Sequence, residues 1–293
     1  MIKEAIKKLV AGNDLTFDEA AQVMDEMFSG TATQSQMAAY LTALRIKGET
    51  IDEITASAQV MREKALHIKP NRDVLDIVGT GGDGTGTFNI STTAAFIIAA
   101  AGIPVAKHGN RSMSSKSGSA DCFEQLGINI NITPEKSEEV LNKAGICFMF
   151  AQGYHSSMKY VGPVRKEIGI RNIFNVLGPL TNPAGADLQV TGVYSEALVE
   201  PIAQVFSNLG VKKGYVFYGM DGMDEVTLTT TTKVCEIDNG KFNTFILNPE
   251  DYGLKLCAPE DLAGGDGKEK AELNEFIPTL EQVRHRQVEA YHR

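Results

Sequence analysis

From Val74 onward the chain repeats one unit, a short β-branched run followed by a helical segment. The runs 74–78, 103–106, 147–150, 189–194 and 215–218 alternate with helical segments over 90–101, 118–126, 134–144 and 196–209. Parallel strands need long crossovers, which helices supply, so the alternation predicts an α/β fold with a mostly parallel central sheet. Residues 233–237 and 242–247 flank Asp238-Asn239-Gly240, which predicts a β-hairpin. Residues 1–66 read differently, as short helices with no strand. Thr16 with Glu19 three residues later forms a capping-box signature before the helix over 17–28. The expected organisation is a small helical domain over 1–70 and a larger α/β domain over 71–293, with Pro70-Asn71-Arg72 as the linker.

The first strand runs straight into GTGGDGTGTFNIST, residues 79–92, where five of the first eight residues are glycine. A strand, a glycine turn and a helix in that order usually hold an anion on backbone N–H groups. An unliganded glycine turn is the plainer alternative. The spacing Gly79-x-Gly81-x-x-Gly84 fits a dinucleotide fingerprint, but that reading wants an acid at the end of the second strand. Here the strand over 103–106 leads into Lys107-His108-Gly109-Asn110-Arg111, which is basic. A P-loop is excluded because no Gly-Lys-Ser/Thr follows. The segment KHGNRSMSSKSGSAD carries three cations and five serines. Two such loops at neighbouring strand ends predict a ligand with more than one phosphate. Asp83 inside the loop reads equally as a turn residue or as a ligand-side group.

Net charge is −9, so an anionic ligand needs a local basic pocket or a metal, and bulk attraction to nucleic acid or an anionic membrane is not expected. Asp221, Asp224 and Glu225 follow the run over 215–218. Carboxylates at a strand end either form a solvated acidic loop or hold Mg²⁺ against substrate phosphates. His155 and Arg165 fall on or beside a helical segment over 154–167, ten residues apart, so a straight helix would roughly align them, Pro163 permitting. Arg171 and Lys166 gain no role from spacing. No nucleophile–base set is present, which points to positioning and charge neutralisation. The four cysteines include no C-x-x-C pair and read as reduced, mostly buried thiols. No apolar stretch reaches the ~18 residues of a membrane span. The start MIKEAIKKLV lacks a signal-peptide core, so the cytoplasm is the expected location.

Taken together, GTGGDGTGTFNIST, KHGNRSMSSKSGSAD, YHSSMKYVGPVRKEIGIRNIFNVLGPLTNPAG and GMDEVTL resemble the anthranilate phosphoribosyltransferase family, in that order and at suitable spacing. The resemblance implies a small helical, dimer-forming domain beside a larger α/β domain, with the site in the cleft between them. It implies transfer of phosphoribosyl from phosphoribosyl pyrophosphate to anthranilate, the second step of tryptophan biosynthesis, with two Mg²⁺ ions. By the same resemblance Gly79, Gly82, Asp83, Thr87, Asn89, Ile90, Ser91 and Thr92 would contact phosphoribosyl pyrophosphate. Lys107, His108, Gly109, Asn110, Arg111, Ser112, Met113, Ser114, Ser115 and Ser119 would form the second phosphate loop. Ser91 with Glu225 would hold one Mg²⁺, and Asp224 with Glu225 a second. Asn110 and Arg165 would meet anthranilate, with Arg165 facing its carboxylate, while His108, His155 and Gly178 would line the aromatic path.

The likeness reaches Gly264-Gly265-Asp266; Lys270 stands near an expected asparagine, and the last ~20 residues do not resemble the family's ending. A shortened or divergent C-terminus is therefore expected. Two other readings share the scaffold. A pyrimidine-nucleoside phosphorylase would carry a different lysine-serine phosphate loop and a further C-terminal domain. A non-catalytic nucleic-acid-binding relative would carry a basic face and degraded motifs.

Overall fold

Three threonines fix where the first helices begin. The computed structural model describes residues 1–111 and 118–265, and opens with α1 (Ile2–Val10), α2 (Phe17–Phe28), α3 (Gln34–Lys47) and α4 (Ile51–Glu63). Thr16 accepts from the N–H of Glu19 at 3.3 Å while Glu19 accepts from the N–H of Thr16 at 2.9 Å, the expected capping box. Thr33 with Gln36 and Thr50 with Glu53 repeat the arrangement at α3 and α4. Each box satisfies two backbone donors that a helix start leaves open.

Glu53 does more than cap. It is fully buried, and its Oε1 accepts from the N–H of Leu15 at 2.9 Å. Its Oε2 accepts from the N–H of Thr50 and from Lys47 Nζ, both at 2.8 Å. Lys47 also reaches Asp14 Oδ1 at 2.6 Å. One carboxylate thus ties the approach to α2, the end of α3 and the start of α4.

The sheet contains β1 (Leu75–Gly79), β2 (Val105–Gly109), β3 (Ile146–Phe150), β4 (Leu188–Gly192), β5 (Lys213–Gly219), β6 (Thr232–Asp238) and β7 (Lys241–Leu247). Their order is β3-β2-β1-β4-β5-β6-β7; the first five are parallel, and the pairs β5–β6 and β6–β7 are antiparallel. The expected hairpin is present, with Asn239 and Gly240 both at positive φ, 49° and 80°, as a two-residue turn of the I′ kind requires. Between strands lie α5 (Ile90–Ala100), α6 (Ser119–Gln125), α7 (Pro134–Ala144), α8 (Ala151–Tyr154), α9 (Met158–Ile168), α10 (Phe174–Leu180) and α11 (Val199–Asn208). After β1 the chain builds outward through β2 and β3, then returns to place β4 on the other side of β1. That reversal makes the ends of β1 and β4 a topological switch point, where open α/β sheets bind ligands.

Two apolar clusters hold these layers. One gathers β1–β3 with α5, α6 and α7. The other runs from α1–α4 through α9 and α10 to α11, β5 and β6, so the helical region shares its core with later parts of the chain. Arg62 on α4 reinforces the junction. Its Nε donates to the carbonyl of Leu180 at 2.7 Å and its Nη1 to that of Leu209 at 3.0 Å, serving the C-terminal ends of α10 and α11. Burial pulls its pKa down to about 10.

Two local expectations change. The second strand continues to Gly109, so Lys107 and His108 lie within it, both buried. The helix expected over 154–167 is two helices, α8 and α9, separated at 155–157, so His155 and Arg165 are not aligned on one axis. The cause is a crossing between clusters. Tyr154 is anchored to α7 by its hydroxyl, which donates to Ser137 Oγ at 2.7 Å, whereas Val161 and Val164 join the core of the bundle. Among the described residues no helix is long and apolar enough to cross a membrane. Cys122, Cys147 and Cys235 are buried free thiols, and Cys257 is a half-buried one.

Replacing Glu53 with alanine strands the N–H groups of Leu15 and Thr50 and takes from Lys47 one of its two carboxylate partners, leaving Asp14. The expected cost is about 3–5 kcal/mol in urea unfolding, with Glu53→Gln losing less because an acceptor oxygen remains. Unchanged stability in Glu53→Ala would show that the carboxylate does not organise the bundle.

Candidate active site

The glycine loop is shaped by an acid from elsewhere in the chain. Gly79 ends β1 opposite Gly192 on β4, and Asp224 lies directly over both. A Cβ on Gly79 would collide with the Asp224 carboxylate, and one on Gly192 with its backbone. The two glycines therefore let the loop after β5 fold down onto the strand ends. Asp224 Oδ2 then accepts from the N–H of Gly81 at 2.6 Å. The far half of the loop is covered by a later segment. The N–H of Phe88 donates to Leu262, at 3.0 Å, and the N–H of Gly264 donates to Gly86, at 2.9 Å, while Thr87 pairs with Ala263. Asp83 accepts from the N–H and the hydroxyl of Thr85, a turn-forming arrangement, and lies close enough to Asp224 to raise its pKa.

The three acids after β5 divide their roles. Asp221 accepts from the hydroxyls of Thr227 and Thr229 and from the N–H of Met223, so it builds the loop itself. Asp224, 7% exposed, is raised to about 6 by burial and then by Asp83, against the N–H of Gly81. Glu225 is raised to about 8 by burial first and Asp224 second; Lys107 and the N–H of Ser91 oppose the rise. These oxygens suit Mg²⁺. They are hard donors in a poorly hydrated place, and their mutual repulsion is what a divalent cation relieves. Among the described residues no three or more His, Cys, Asp or Glu side chains converge as a complete chelate. A Mg²⁺ site shared with phosphate oxygens and water needs only one or two carboxylates from the protein.

Lys107, 1% exposed, donates to the carbonyl of Ile77 and approaches Ser91 Oγ at 3.5 Å. Burial lowers its pKa, against Asp76 and Glu225. Asp76, fully buried on β1, accepts from the N–H of His108 at 3.1 Å, and burial raises it to about 6. Sequence reading missed Asp76; an acid inside the apolar run over 74–78 was the available signal. Ser91 is on the first turn of α5, after Asn89, the residue preceding that helix, whose Nδ2 donates to the carbonyl of Gly118 at 3.3 Å. Ile90 opens the helix and Thr92 is buried.

The second loop is described at its two ends only; Ser112, Met113, Ser114 and Ser115 lie outside the described residues. Gly109 packs against Ser119 and Phe148 with no room for a Cβ. The carbonyl of Asn110 accepts from Ser119 Oγ at 3.4 Å, and Asn110 Oδ1 accepts from the N–H of Arg111 at 2.8 Å. Arg111 pairs with Asp121 at 2.7 Å and Glu124 at 2.6 Å on α6, and its guanidinium lies 5.6 Å from the Phe150 ring centroid.

His108 turns toward α10 and His155. Its Nδ1 lies 3.2 Å from the carbonyl of Gly178 on α10, and its ring centroid is 5.1 Å from that of His155. Burial drives His108 down to about 3 and His155 to about 4, so both are neutral near pH 7. Among the described residues their buried Nε2 atoms have no hydrogen-bond partner. Arg165 on α9 is half-buried, its guanidinium 5.1 Å from the ring of Phe174, and burial lowers its pKa. Gly79, Ser91, Lys107, Asp224 and Glu225 thus gather at the β1–β4 switch, and β2 connects them through His108 to His155 and Gly178.

Comparison with known proteins gives the same picture. Residues 3–65 match the helical bundle domain of the glycosyl transferase family, and residues 71–288 match that family's a/b domain. Anthranilate phosphoribosyltransferases of Ruminiclostridium cellulolyticum and Endomicrobium trichonymphae are each 58% identical over 273 residues, covering 93% of this chain and 80% and 81% of theirs. The crystal structure of the Thermus thermophilus enzyme shares 42% identity and superposes with a TM-score of 0.87 over 98% of this chain and 88% of its own. The Saccharomyces cerevisiae enzyme in complex with 4-fluoroanthranilate has a TM-score of 0.83 at 25% identity, covering 99% of this chain and 93% of its own. The phosphorylase and nucleic-acid readings are not favoured. By these matches over most of its length, the chain belongs to the anthranilate phosphoribosyltransferase family.

Proposed function

We infer that the cleft transfers the phosphoribosyl group of phosphoribosyl pyrophosphate to the amine of anthranilate, giving N-(5-phosphoribosyl)anthranilate and pyrophosphate in tryptophan biosynthesis. The observation that carries the reading is the seating of Asp224 and Glu225 over the glycine loop at the β1–β4 switch, beside Lys107 and Ser91. That arrangement combines N–H donors, a buried cation and hard oxygen ligands where a diphosphate would lie.

As the bond from the anomeric carbon to pyrophosphate breaks, its electron pair leaves with the diphosphate and positive charge grows on the ribose. The lone pair of the arylamine forms the new C–N bond, and the nitrogen then sheds a proton. The loop over 79–92 and the start of α5 supply N–H groups to the leaving group, which is preorganised electrostatic stabilisation. Mg²⁺ held by Ser91, Asp224 and Glu225, as two ions, would neutralise pyrophosphate charge. Lys107 supports Ser91 from beneath. In this reading Arg165 faces the anthranilate carboxylate, and Asn110 belongs to the same substrate site. Neutral His108 and His155 line an aromatic path without adding charge, and orientation of the amine matters more than its deprotonation.

The reading keeps the helical unit over 1–70 as the dimer-forming part, with the cleft between it and the unit over 71–293. Buried free thiols support a cytoplasmic setting.

The test is loss of anthranilate fluorescence in the presence of phosphoribosyl pyrophosphate and Mg²⁺, with EDTA as control. Metal-dependent loss supports the reading, and a folded protein with no turnover rejects it. Asp224→Ala with Glu225→Ala should abolish turnover while leaving the circular dichroism spectrum unchanged; near-normal rates would remove the metal assignment. Arg165→Ala should raise KM for anthranilate by the loss of a charge-assisted pair, about 1.5–3 kcal/mol. An unchanged KM would place the carboxylate elsewhere.

The histidines also set a pH dependence of stability. His155 has a folded pKa of about 4 against an ordinary 6.5, so the unfolded chain takes up its proton first on acidification. Its contribution is fully present above pH 6.5 and is lost as pH falls through 4, with a linkage limit of about 3 kcal/mol. Urea midpoints should therefore fall between pH 6.5 and 4, and less steeply in His155→Asn. Parallel profiles would show that His155 is already solvated in the folded state.

A further inference from the structure

Arg171 has no part in the reaction as described above. It lies between α9 and α10, and its guanidinium donates to the carbonyl of Gly82 in the glycine loop. The same guanidinium sits 4.3 Å from the ring centroid of Tyr194, just beyond β4. The N–H of Tyr194 donates to Thr80 Oγ1 at 3.0 Å, and Thr80 immediately precedes Gly81. From the other side, the N–H of Gly81 donates to Asp224 at 2.6 Å. The Gly81–Gly82 pair is thus bracketed by Asp224 and Arg171.

A trans peptide carries its carbonyl and its N–H on opposite sides. Fixing the carbonyl of Gly82 therefore also fixes the N–H of Asp83, which points away from Arg171. Gly81 and Gly82 have φ of 68° and 77° and no side chain to resist rotation, so these peptides could adopt other orientations if unsupported. We propose that Arg171 is a positioning residue for the phosphate site, acting through the Gly82–Asp83 peptide with the Tyr194 ring as its platform. It sets the loop amides before substrate arrives. The proposal rests on the loop being the pyrophosphate site, as read above. A planar guanidinium suits the task because it donates in plane while stacking on the ring, which an ammonium cannot reproduce. The segment carrying Arg171 leaves α9, which packs on α2 and α3, so the bundle also helps to seat the loop.

Steady-state kinetics with each substrate varied in turn test this. Arg171→Ala should raise KM for phosphoribosyl pyrophosphate roughly tenfold, the worth of one well-placed hydrogen bond, with KM for anthranilate unchanged. Tyr194→Ala should reproduce the effect, Tyr194→Phe should behave as wild type, and the double alanine variant should be no worse than Arg171→Ala, since both belong to one device. An unaffected phosphoribosyl pyrophosphate KM in Arg171→Ala, or a rise confined to anthranilate, overturns the proposal. So does an unaffected Tyr194→Ala beside a fully active Arg171→Lys, which would make the charge alone responsible. Wild-type protein without turnover would reject the reaction instead. Calorimetric titration of phosphoribosyl pyrophosphate with Mg²⁺ into wild type and Arg171→Ala would then decide the proposal, with equal affinities overturning it.

Discussion

The glycine loop and the acids beside it depend on one contact, the seating of Asp224 across the ends of β1 and β4. It is possible because Gly79 and Gly192 pair with each other and neither has a Cβ to block the loop after β5. The same contact sets the first turn of the glycine loop through the N–H of Gly81 and brings Glu225 to Ser91 and Lys107. A larger residue at either glycine would lift the acids off the sheet and separate them from the loop they serve. Strand packing and the arrangement of the acids therefore share one constraint.

Beneath this contact the structure carries charge that burial alone would not favour. Asp76, Lys107, Asp224 and Glu225 are all shifted toward their neutral forms, with desolvation the largest cause in each. Lys107 counters two of the acids from within β2, and backbone N–H groups counter others. A site with this balance has poorly hydrated carboxylates ready for a divalent cation and a lysine held away from bulk water. Low hydration strengthens the electrostatic interactions of such groups with an oppositely charged ion relative to the same groups in solvent.

The helical bundle belongs to the site as much as the sheet does. The chain leaves the β1–β3 cluster at Tyr154 and enters the bundle's core at Val161, so this stretch belongs to both. His155 stands at that crossing, Arg165 is on the helix that follows, and Gly178 lies on the helix whose end Arg62 holds. Any rotation between the clusters would move Arg165 relative to the glycine loop.

Much of this was legible in the chain's local patterns. Alternating runs located the five parallel strands, Thr16 with Glu19 located a helix start, and Asp238-Asn239-Gly240 with its flanking runs located the hairpin, because those signals act over a few residues. The glycine loop and the acidic pair after β5 were also legible as features at strand ends, since glycine and charge there carry meaning by themselves. Local signals did not show that β2 runs on to Gly109, that the helix breaks at His155, or that Asp76 serves Lys107 and Arg171 serves Gly82. Those facts arise between residues far apart in sequence: Asp76 and His108 are bonded across neighbouring strands, and Arg171 meets a loop that lies 89 positions earlier. The sequence by itself determined the elements, their order and the chemical types at the site. Only the tertiary structure decided which charges meet and which glycines yield space, because burial and pairing depend on what packs against a residue rather than on what precedes it.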